Sequence, residues 1–215
     1  MEKFDVCIPT LNSGKTLDAC LKAIIETIPV NRIIIADGYS KDDTIKIAKK
    51  YGCKIIQTDK SLGEVREMLI KMVKTKWFFF IDADIVVNKK WLYSLLKARE
   101  KNVGVVHGFG LTRGPLSFFR KLLLFMKVKF GLKQRGFTSN TLIRKDAVKG
   151  IKLPKMKRLE DIHLQWAVEK RGFKWKFAIA FCEHLKEEKK VLKEALSDFK
   201  NLAKEKGILR ALLYI

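Results

Sequence analysis

Short apolar runs alternate with stretches of helical periodicity through the first half of the chain. Strand patterns occupy residues 4–8, 32–36, 54–57, 77–81 and 103–109. Apolar residues recur at helical spacing over residues 17–28, 42–51, 64–74 and 91–101. We expect Ser13 to cap the first of these helices. Strands and helices that alternate over short connections predict an α/β fold with a mainly parallel sheet flanked by helices.

The second half of the chain is less regular, beginning with a break at Gly114-Pro115. The pattern predicts a strand at 136–143, a helix from 159 to 171, a strand at 174–181 and a helix at 187–206. The final residues, 208–215, are apolar around Arg210. We expect a sheet domain over 1–185 and a C-terminal helix with an apolar tail over 186–215, packed on the domain or on a membrane.

The chain of 215 residues carries a large excess of positive charge, 45 − 23 = +22, which favours a polyanionic partner. Nucleic acid, an anionic membrane surface and phosphorylated substrates all meet that description. The four cysteines are scattered among apolar residues without a C-x-x-C pair, which is typical of buried thiols in a reducing compartment. The N-terminus shows no signal-peptide pattern, and no apolar run approaches the roughly 20 residues of a membrane span. We expect a cytoplasmic protein that contacts the cytoplasmic face of a membrane.

An aromatic run, Trp77 to Ile81, ends in the carboxylates Asp82 and Asp84. Residues two apart on an extended chain point to the same side, so we expect these two groups to lie together at a strand end. Both stay ionised only if a cation or hydrogen-bond donors compensate them. Oxygen ligands of this kind suit Mg²⁺ or Mn²⁺, whereas a solvated acidic turn is the simpler alternative.

Polar side chains also follow the other predicted strands, at Thr10 and Asp37. In doubly wound sheets, ligands gather at the carboxyl ends of the strands. The sequence therefore predicts a single cleft that contains Thr10, Asp37, Asp82 and Asp84.

Four segments together resemble the family 2 glycosyltransferases of the GT-A fold. They are Cys7-Ile8-Pro9-Thr10-Leu11-Asn12, Ile35-Ala36-Asp37-Gly38-Tyr39-Ser40-Lys41-Asp42-Asp43-Thr44, Asp82-Ala83-Asp84 and Glu160-Asp161. The resemblance extends from Phe4 to about His184. Each motif is weak alone, but their order and spacing are specific. The resemblance implies transfer of one sugar from a nucleotide-sugar donor.

The resemblance also implies a role for individual residues. Asp84 would bind Mg²⁺ or Mn²⁺ on the donor diphosphate, and His184 would complete the metal site. Asp161 would be the general base that deprotonates the acceptor, although acidic residues are also favoured at a helix start. The implied nucleotide-binding residues are Pro9, Thr10, Asn12, Asp37, Gly38, Arg66 and Asp82.

Two departures from the family pattern affect these expectations. Arg66 lies in a segment where Val65 and Glu67 replace the family's Ala and Asn, so Arg66 could equally be a solvated helix charge. The chain also lacks the Gln-x-x-Arg-Trp motif of processive polymer synthases, which favours single transfer.

The apolar segment 116–132 is interspersed with cations and predicts the kind of acceptor. Cations beside an apolar helix suit an anionic lipid or lipid phosphate, such as a polyprenyl or dolichyl phosphate, with Arg113 and Arg120 as candidate phosphate ligands. A helix that covers a sheet edge, with a solvated basic face, is the structural alternative.

Two other classes of function stay open at this point. A nucleotidyltransferase on a similar sheet would release pyrophosphate, but the first strand lacks a Gly-rich, Lys-containing phosphate loop. A nucleic-acid-binding protein would explain the charge, but the aromatics fall in predicted core strands and not on a basic face. We therefore expect no nucleic-acid partner.

Overall fold

The computed structural model describes residues 2–132, 134–155 and 159–206, which form one sheet flanked by helices. The strands are β1 (Phe4–Thr10), β2 (Val30–Asp37), β3 (Lys54–Gln57), β4 (Trp77–Ile81), β5 (Ile85–Val86), β6 (Val103–Thr112), β7 (Asn140–Arg144) and β8 (Lys174–His184). The helices are α1 (Leu17–Thr27), α2 (Thr44–Lys50), α3 (Leu62–Met72), α4 (Lys89–Lys97), α5 (Ser117–Lys129), α6 (Lys145–Val148), α7 (Glu160–Lys170) and α8 (Glu188–Lys206).

The eight described strands are ordered β3-β2-β1-β4-β7-β6-β8-β5. The first four are mutually parallel, as the alternation of strands and helices predicts. Strand β7 is antiparallel to both β4 and β6, so the sheet as a whole is mixed. Thr10 pairs with Asp37, and Cys7 pairs with Phe80. The carboxyl ends of β1, β2 and β4 therefore meet at one edge of the sheet.

Alternate residues of the central strands fill a core on each face of the sheet. Phe79 and Ile81 of β4 pack on the face covered by α1 and α4, whereas Phe78 and Phe80 pack on the face covered by α3 and α7. A strand buried on both faces is expected to be apolar throughout, which explains the unbroken aromatic run. The burial of each such side chain contributes about 1.5–3 kcal/mol, and this makes β4 a rigid support for the acidic residues that follow it.

Several local expectations are wrong. The side chain of Ser13 does not cap α1; its carbonyl instead accepts hydrogen bonds from the backbone N–H groups of Thr16 and Leu17. The strand expected at 136–143 begins only at Asn140, because the N–H of Gly136 donates to Gln165 and that of Phe137 donates to His107. The helix expected to reach 101 ends at Lys97, since the chain must turn before β6.

Two short elements, β5 and α6, escape the sequence patterns because two and four residues are too few to show a period. The predicted apolar tail at 208–215 lies outside the described residues. Among the helices that the structure does describe, none is both long and apolar enough to cross a membrane.

Helices α5 and α8 differ in how they pack on the rest of the molecule. None of the residues of α5 is buried. Helix α8 places Phe199 and Ala203 against Leu159 and Ile162, at the start of α7. The C-terminal helix therefore packs beside the first turn of α7, where Glu160 and Asp161 lie.

Candidate active site

A fully buried carboxylate, that of Asp37, joins the ends of β1 and β2. Its Oδ1 accepts a hydrogen bond from Thr10 Oγ1 at 2.9 Å, and its Oδ2 accepts from the backbone N–H of Ser40 at 2.9 Å and from Gln57 Nε2 at 3.4 Å. Burial alone would raise the pKa of Asp37, but the hydrogen bonds from Ser40, Thr10 and Gln57 outweigh it and hold the pKa below its ordinary value. Asp37 is therefore an ionised group in a fixed orientation.

The loops that follow β1 and β2 are bonded to each other around this carboxylate. The N–H of Asn12 donates to Ser40 Oγ at 2.8 Å, and the N–H of Lys41 donates to Asn12 Oδ1 at 2.9 Å. The N–H of Gly38 donates to the carbonyl of Thr10 at 2.9 Å. Asn12 has a φ of 48°, which asparagine tolerates better than most residues. Pro9 precedes this corner and lies opposite Ala36 in the sheet. The predicted nucleotide-binding residues from Pro9 to Gly38 thus form one preorganised corner.

The sequence suggested that Asp82 and Asp84 continue the extended strand β4, but in the structure they do not. The chain turns after β4, and the N–H of Ile85 donates to the carbonyl of Asp82 at 3.1 Å. Ile85 then pairs with His184 through β5 and β8. As a result the two carboxylates have different partners: Asp82 faces Arg66 of α3, and Asp84 faces the end of β8.

Asp84 forms a pair with His184, with 3.3 Å between Oδ2 and Nε2. Lys186 Nζ lies 3.6 Å from the same oxygen. Burial tends to raise the pKa of Asp84, but the hydrogen bond and charge of His184, together with Lys186, lower it overall. The other carboxylate oxygen, Oδ1, is buried without a hydrogen-bond partner. The carboxylate is therefore ionised, with one oxygen free to take a further ligand.

The Asp84–His184 pair is an incomplete but suitable donor set for a divalent cation. Within 2–132, 134–155 and 159–206, the side chains of His, Cys, Asp and Glu do not gather in a group of three or more that could hold a metal. A carboxylate with an unpartnered oxygen and a neighbouring imidazole fit Mn²⁺ well and Mg²⁺ less well. Such ions commonly take their other ligands from water and substrate phosphates. The site thus fits a metal that arrives together with a phosphorylated ligand.

Arg66 is buried, with a side chain only 3% exposed, so the alternative of a solvated helix charge is wrong. Its Nε donates to Glu160 Oε1 at 3.0 Å, and one Nη donates to Asp82 Oδ1 at 3.4 Å. Its guanidinium carbon lies 5.0 Å from the centre of the Phe80 ring. The other nitrogen, Nη1, is buried without a partner. Arg66 therefore connects the turn after β4 with the start of α7.

The pKa of Asp82 is raised overall. Burial and the nearby carboxylates Asp84 and Glu160 raise it, and the charge of Arg66 only partly opposes them. These influences are consistent with a crowded acidic cluster at the sheet edge. Any cation that binds there would relieve the repulsion between its members.

Asp161 lies beside Glu160 in the first turn of α7, as its position in the sequence indicates, and both side chains are buried. One Nη of Arg135 donates to both carboxylate oxygens of Asp161, at 3.1 and 3.3 Å. Burial raises the pKa of Asp161 to about 6; Arg135 opposes this rise and Glu160 adds to it. A carboxylate with a pKa near 6 is suited to accept a proton at neutral pH.

The two predicted acceptor residues lie beside His184. Thr112, the last residue of β6, pairs with His184 of β8. Arg113 follows it, is 86% exposed and pairs with Glu183. Arg120 donates from one Nη to Thr112 Oγ1 at 3.2 Å. The structure thus places Arg113 directly after β6, and Arg120 of α5 in contact with the last residue of β6, beside the end of β8 that carries His184.

Lys186 and Asp198 belong to this region but escape sequence reasoning. Lys186 pairs with Asp84, and Asp198 accepts a hydrogen bond from Arg135 at 2.9 Å. Lys186 is one of 45 lysines and arginines, and Asp198 lies in an ordinary charged helix, so neither carries a local signal. A surface depression lined by Glu100, Phe173 and Trp175 lies at the opposite end of β8 and includes none of the predicted site residues.

A family model matches most of this chain: glycosyl transferase family 2, over residues 5–157. The chain belongs to this family. The family is therefore a class of glycosyl transferases. The match covers Thr10, Asp37 and the Asp82–Asp84 turn, and it ends shortly before Asp161.

Curated relatives match parts of this family 2 chain. Poly(ribitol-phosphate) beta-N-acetylglucosaminyltransferase TarP of Staphylococcus aureus is 28% identical over 119 residues, which are 50% of this chain and 36% of TarP. The glycosyltransferase SunS of Bacillus subtilis is 30% identical over 83 residues, covering 37% of this chain and 19% of SunS. The chain thus spans only about a third of TarP and a fifth of SunS.

Solved structures share the fold over nearly the full chain. Glucosyl-3-phosphoglycerate synthase from Mycobacterium tuberculosis, in complex with Mn²⁺, UDP-glucose and phosphoglyceric acid, has a TM-score of 0.69 and 17% identity. The similarity covers 98% of this chain and 80% of that one. The same synthase has also been solved with Mg²⁺ and UDP, with a TM-score of 0.66. The predicted GT-A fold of this family 2 member is confirmed.

Proposed function

We propose that this glycosyltransferase is a metal-dependent, inverting enzyme that transfers one sugar from a nucleotide sugar to a membrane-associated acceptor, such as a polyprenyl (dolichyl) phosphate or an anionic glycolipid. The observation that carries the proposal is the Asp84–His184 pair, whose unpartnered Oδ1 lies at the same sheet edge as the Asp37 corner. The similar synthase that binds Mn²⁺ and UDP-glucose supports the metal and the kind of donor.

The donor would lie along the carboxyl ends of β1, β2 and β4. Asp37 would accept a hydrogen bond from an N–H of the base, which requires one of its present donors to yield. Arg66 offers its unpartnered Nη1 beside Asp82, which would contact the ribose or the metal. The other proposed nucleotide contacts are Pro9, Thr10, Asn12 and Gly38.

Asp84 and His184 would hold Mg²⁺ or Mn²⁺. When bound, the metal would neutralise charge on the departing nucleoside diphosphate. Asp161 would take the proton from the acceptor hydroxyl, or orient an acceptor that is already an anion. Attack on the side of the sugar opposite the diphosphate inverts the anomeric centre.

The outer face of α5 supports a membrane-bound acceptor. At about 100° per residue, its exposed apolar side chains fall within an arc of roughly 160°. They are Phe118, Phe119, Leu122, Leu123, Phe125 and Met126. Arg120 and Lys127 lie on one side of this arc and Lys121 on the other, while Lys129 falls within it at the last turn. An apolar face bordered by cations is suited to lie in the interface of an anionic membrane.

Arg113 and Arg120 would then bind the acceptor phosphate between the membrane and the donor site. Arg120 belongs to α5 and also contacts Thr112, which pairs with His184. Arg120, Thr112 and His184 therefore form a continuous series of contacts from the apolar face of α5 to the Asp84–His184 pair. This geometry supports peripheral attachment at the cytoplasmic face, where both nucleotide sugar and lipid phosphate are available.

Metal-dependent donor binding tests the nucleotide site. UDP-glucose and UDP-N-acetylglucosamine are the first probes, because the similar synthase and TarP point to these sugars. With Mn²⁺, a bound donor at 100 times its dissociation constant should stabilise the protein by about 2.7 kcal/mol. Asp84→Asn should abolish this gain, whereas Asp146→Asn, on an exposed carboxylate, should keep it. Full donor stabilisation of Asp84→Asn would refute the metal assignment.

Transfer to a polyprenyl phosphate in phosphatidylglycerol vesicles tests the reaction. The expected product is a nucleoside diphosphate and a glycosylated lipid, whereas a nucleotidyltransferase would release pyrophosphate from a nucleoside triphosphate. Asp161→Asn should spare donor binding and reduce transfer about 10²-fold or more. Equal loss of binding and transfer would instead indicate a structural role for Asp161.

Vesicle sedimentation tests the membrane face separately. Phe118→Glu combined with Phe119→Glu should release the protein from anionic vesicles. The matched control is Tyr93→Glu, because Tyr93 is 65% exposed on α4, away from α5. Binding that is equally strong for both variants would remove α5 from the proposal.

A further inference from the structure

A line of charged side chains connects the turn after β4 with helix α8. Arg66 joins Asp82 to Glu160, and Arg135 joins Asp161 to Asp198. Glu160 and Asp161 are neighbours in the first turn of α7 and link the two halves. The line therefore begins beside the proposed donor site and ends on the C-terminal helix.

Arg135 is held in place by two carboxylates and an aromatic ring. One Nη contacts both oxygens of Asp161, and the other Nη donates to Asp198 at 2.9 Å. Its guanidinium carbon lies 4.5 Å from the centre of the Phe137 ring, and its side chain is only 8% exposed. A planar guanidinium held through both Nη atoms and on one face has little freedom to rotate, although its Nε is buried without a hydrogen-bond partner. The carboxylate that it contacts is fixed with it.

Helix α8 delivers Asp198 to this position by packing on the start of α7. Phe199, the next residue, and Ala203 contact the cluster formed by Leu159 and Ile162. Leu159 and Ile162 flank the Glu160–Asp161 pair in sequence. The apolar contact and the Arg135–Asp198 ion pair therefore attach α8 to the same helical turn that carries Asp161.

We propose that Arg135 is a positioning residue for Asp161, and that Asp198 of α8 anchors Arg135, so that the C-terminal helix completes the transfer site. This inference rests on the proposed role of Asp161 as the base. Glu194, one turn before Asp198 on α8, forms a similar ion pair with Lys186, and Lys186 in turn pairs with Asp84. Helix α8 thus supplies an acidic partner to the cation beside each of two site carboxylates.

The charges around Asp161 determine what the loss of Arg135 does. Arg135 faces it from the segment before β7, Glu160 from α7 and Arg66 from α3, while Asp198 lies across Arg135 on α8. A positive charge as close as that of Arg135, whose Nη lies 3.1 Å from Asp161 Oδ1, lowers the pKa of a carboxyl by about 1–3. Without Arg135, the pKa of Asp161 should therefore rise further above its present value.

The first experiment follows the carboxyl carbons of the full chain by ¹³C NMR during a pH titration, without any ligand. The resonance that is lost in Asp161→Asn identifies the group. In Arg135→Gln its midpoint should move up by about one unit or more. In the control Arg144→Gln, which removes a surface arginine paired with Asp146, it should stay unchanged. A midpoint that is unmoved in Arg135→Gln overturns the inference.

The second experiment measures release of UDP from UDP-glucose to water with Mn²⁺, so that it needs no acceptor. Asp198→Asn should lower kcat about tenfold and leave KM for UDP-glucose within about twofold, a part of the 10²–10⁴-fold that a positioned base contributes. Asp198→Glu should restore most of kcat, because its carboxylate still reaches Arg135. Wild-type kcat in Asp198→Asn, or an equal loss in Asp198→Glu, overturns the anchoring role.

The two proposals fail in different ways. Full turnover of Asp161→Asn would end the role of Asp161 as the base, whatever Arg135 does. Loss of turnover in Asp161→Asn, together with an unchanged carboxyl midpoint in Arg135→Gln, would end only the positioning role. Arg135→Met, which also removes the charge, serves as a second variant if Arg135→Gln does not fold, and the same upward shift of the Asp161 midpoint is expected.

Discussion

Replacing Arg66 by methionine should destabilise the folded protein strongly, because it leaves Glu160 buried without its cation. The side chains of Arg66 and Glu160 are 3% and 5% exposed, and their atoms Nε and Oε1 are 3.0 Å apart. Removing one partner of such a buried pair costs roughly 3–5 kcal/mol. Because each kcal/mol lowers Tm by about 2–4 °C in a chain of this size, Tm should fall by about 10 °C.

The same reasoning predicts that the double variant is more stable than either single one. Arg66→Met with Glu160→Leu removes both charges and fills the space with apolar atoms, and such replacements are often neutral. Asp82 also loses a partner, but its side chain is 37% exposed against 5% for Glu160, so its loss should cost less. Urea denaturation of the four proteins would give the coupling free energy, which should be about 3 kcal/mol in favour of the double variant.

A surface pair provides the control for this cycle. Arg144 and Asp146 lie 3.4 Å apart, but Asp146 is 62% exposed, so Arg144→Met should cost about 1 kcal/mol or less. The reasoning is refuted if Arg66→Met unfolds at nearly the same urea concentration as the wild type. It is also refuted if the two single effects simply add in the double variant.

Two further predictions concern stability. Burial tends to raise the pKa of Asp5, but Arg32, the N–H of Lys74 and Asn31 together lower it below its ordinary value. The ionised carboxylate therefore stabilises the fold above pH about 4, and this stabilisation is lost as the pH falls through the lowered pKa of the folded state. Asp5→Asn should therefore reduce the free energy of unfolding by about 3 kcal/mol at pH 7 and by progressively less as the pH falls below about 4, as measured by urea titration. Gly108→Ala should cost about 1–3 kcal/mol, since its Cβ would lie 2.5 Å from Asn140 Oδ1 and from Trp91 Nε1; an unchanged Tm would contradict that packing.

The fold is well predicted from sequence wherever the signal is local. The short apolar runs of β1 and β2, the helical spacing of α1 and the turn residues after Asp37 depend on near neighbours, and they place the ends of these two strands within two residues. Because parallel strands share an edge, these local patterns also bring Thr10, Asp37 and the residues after β4 to one side of the sheet.

The parts that sequence patterns miss depend on contacts between distant residues. Arg66 meets Glu160 across 94 positions, and nothing near either residue indicates whether the arginine is buried or solvated. The extended-chain rule for Asp82 and Asp84 fails because the chain turns after β4 and pairs β5 with β8. Strand β5 has only two residues, so no periodicity reveals it. Asp198 has a partner only because α8 folds back onto α7.

The position of α8 in the chain has a consequence for biosynthesis. A ribosome releases the polypeptide from its N-terminus, and the sheet from β1 to β8 can assemble before residues 188–206 emerge. Until then Arg135 and Lys186 lack their acidic neighbours on α8, Asp198 and Glu194. If α8 completes the site as proposed, a nascent chain would form its sheet first and a competent reaction centre only when this helix has docked.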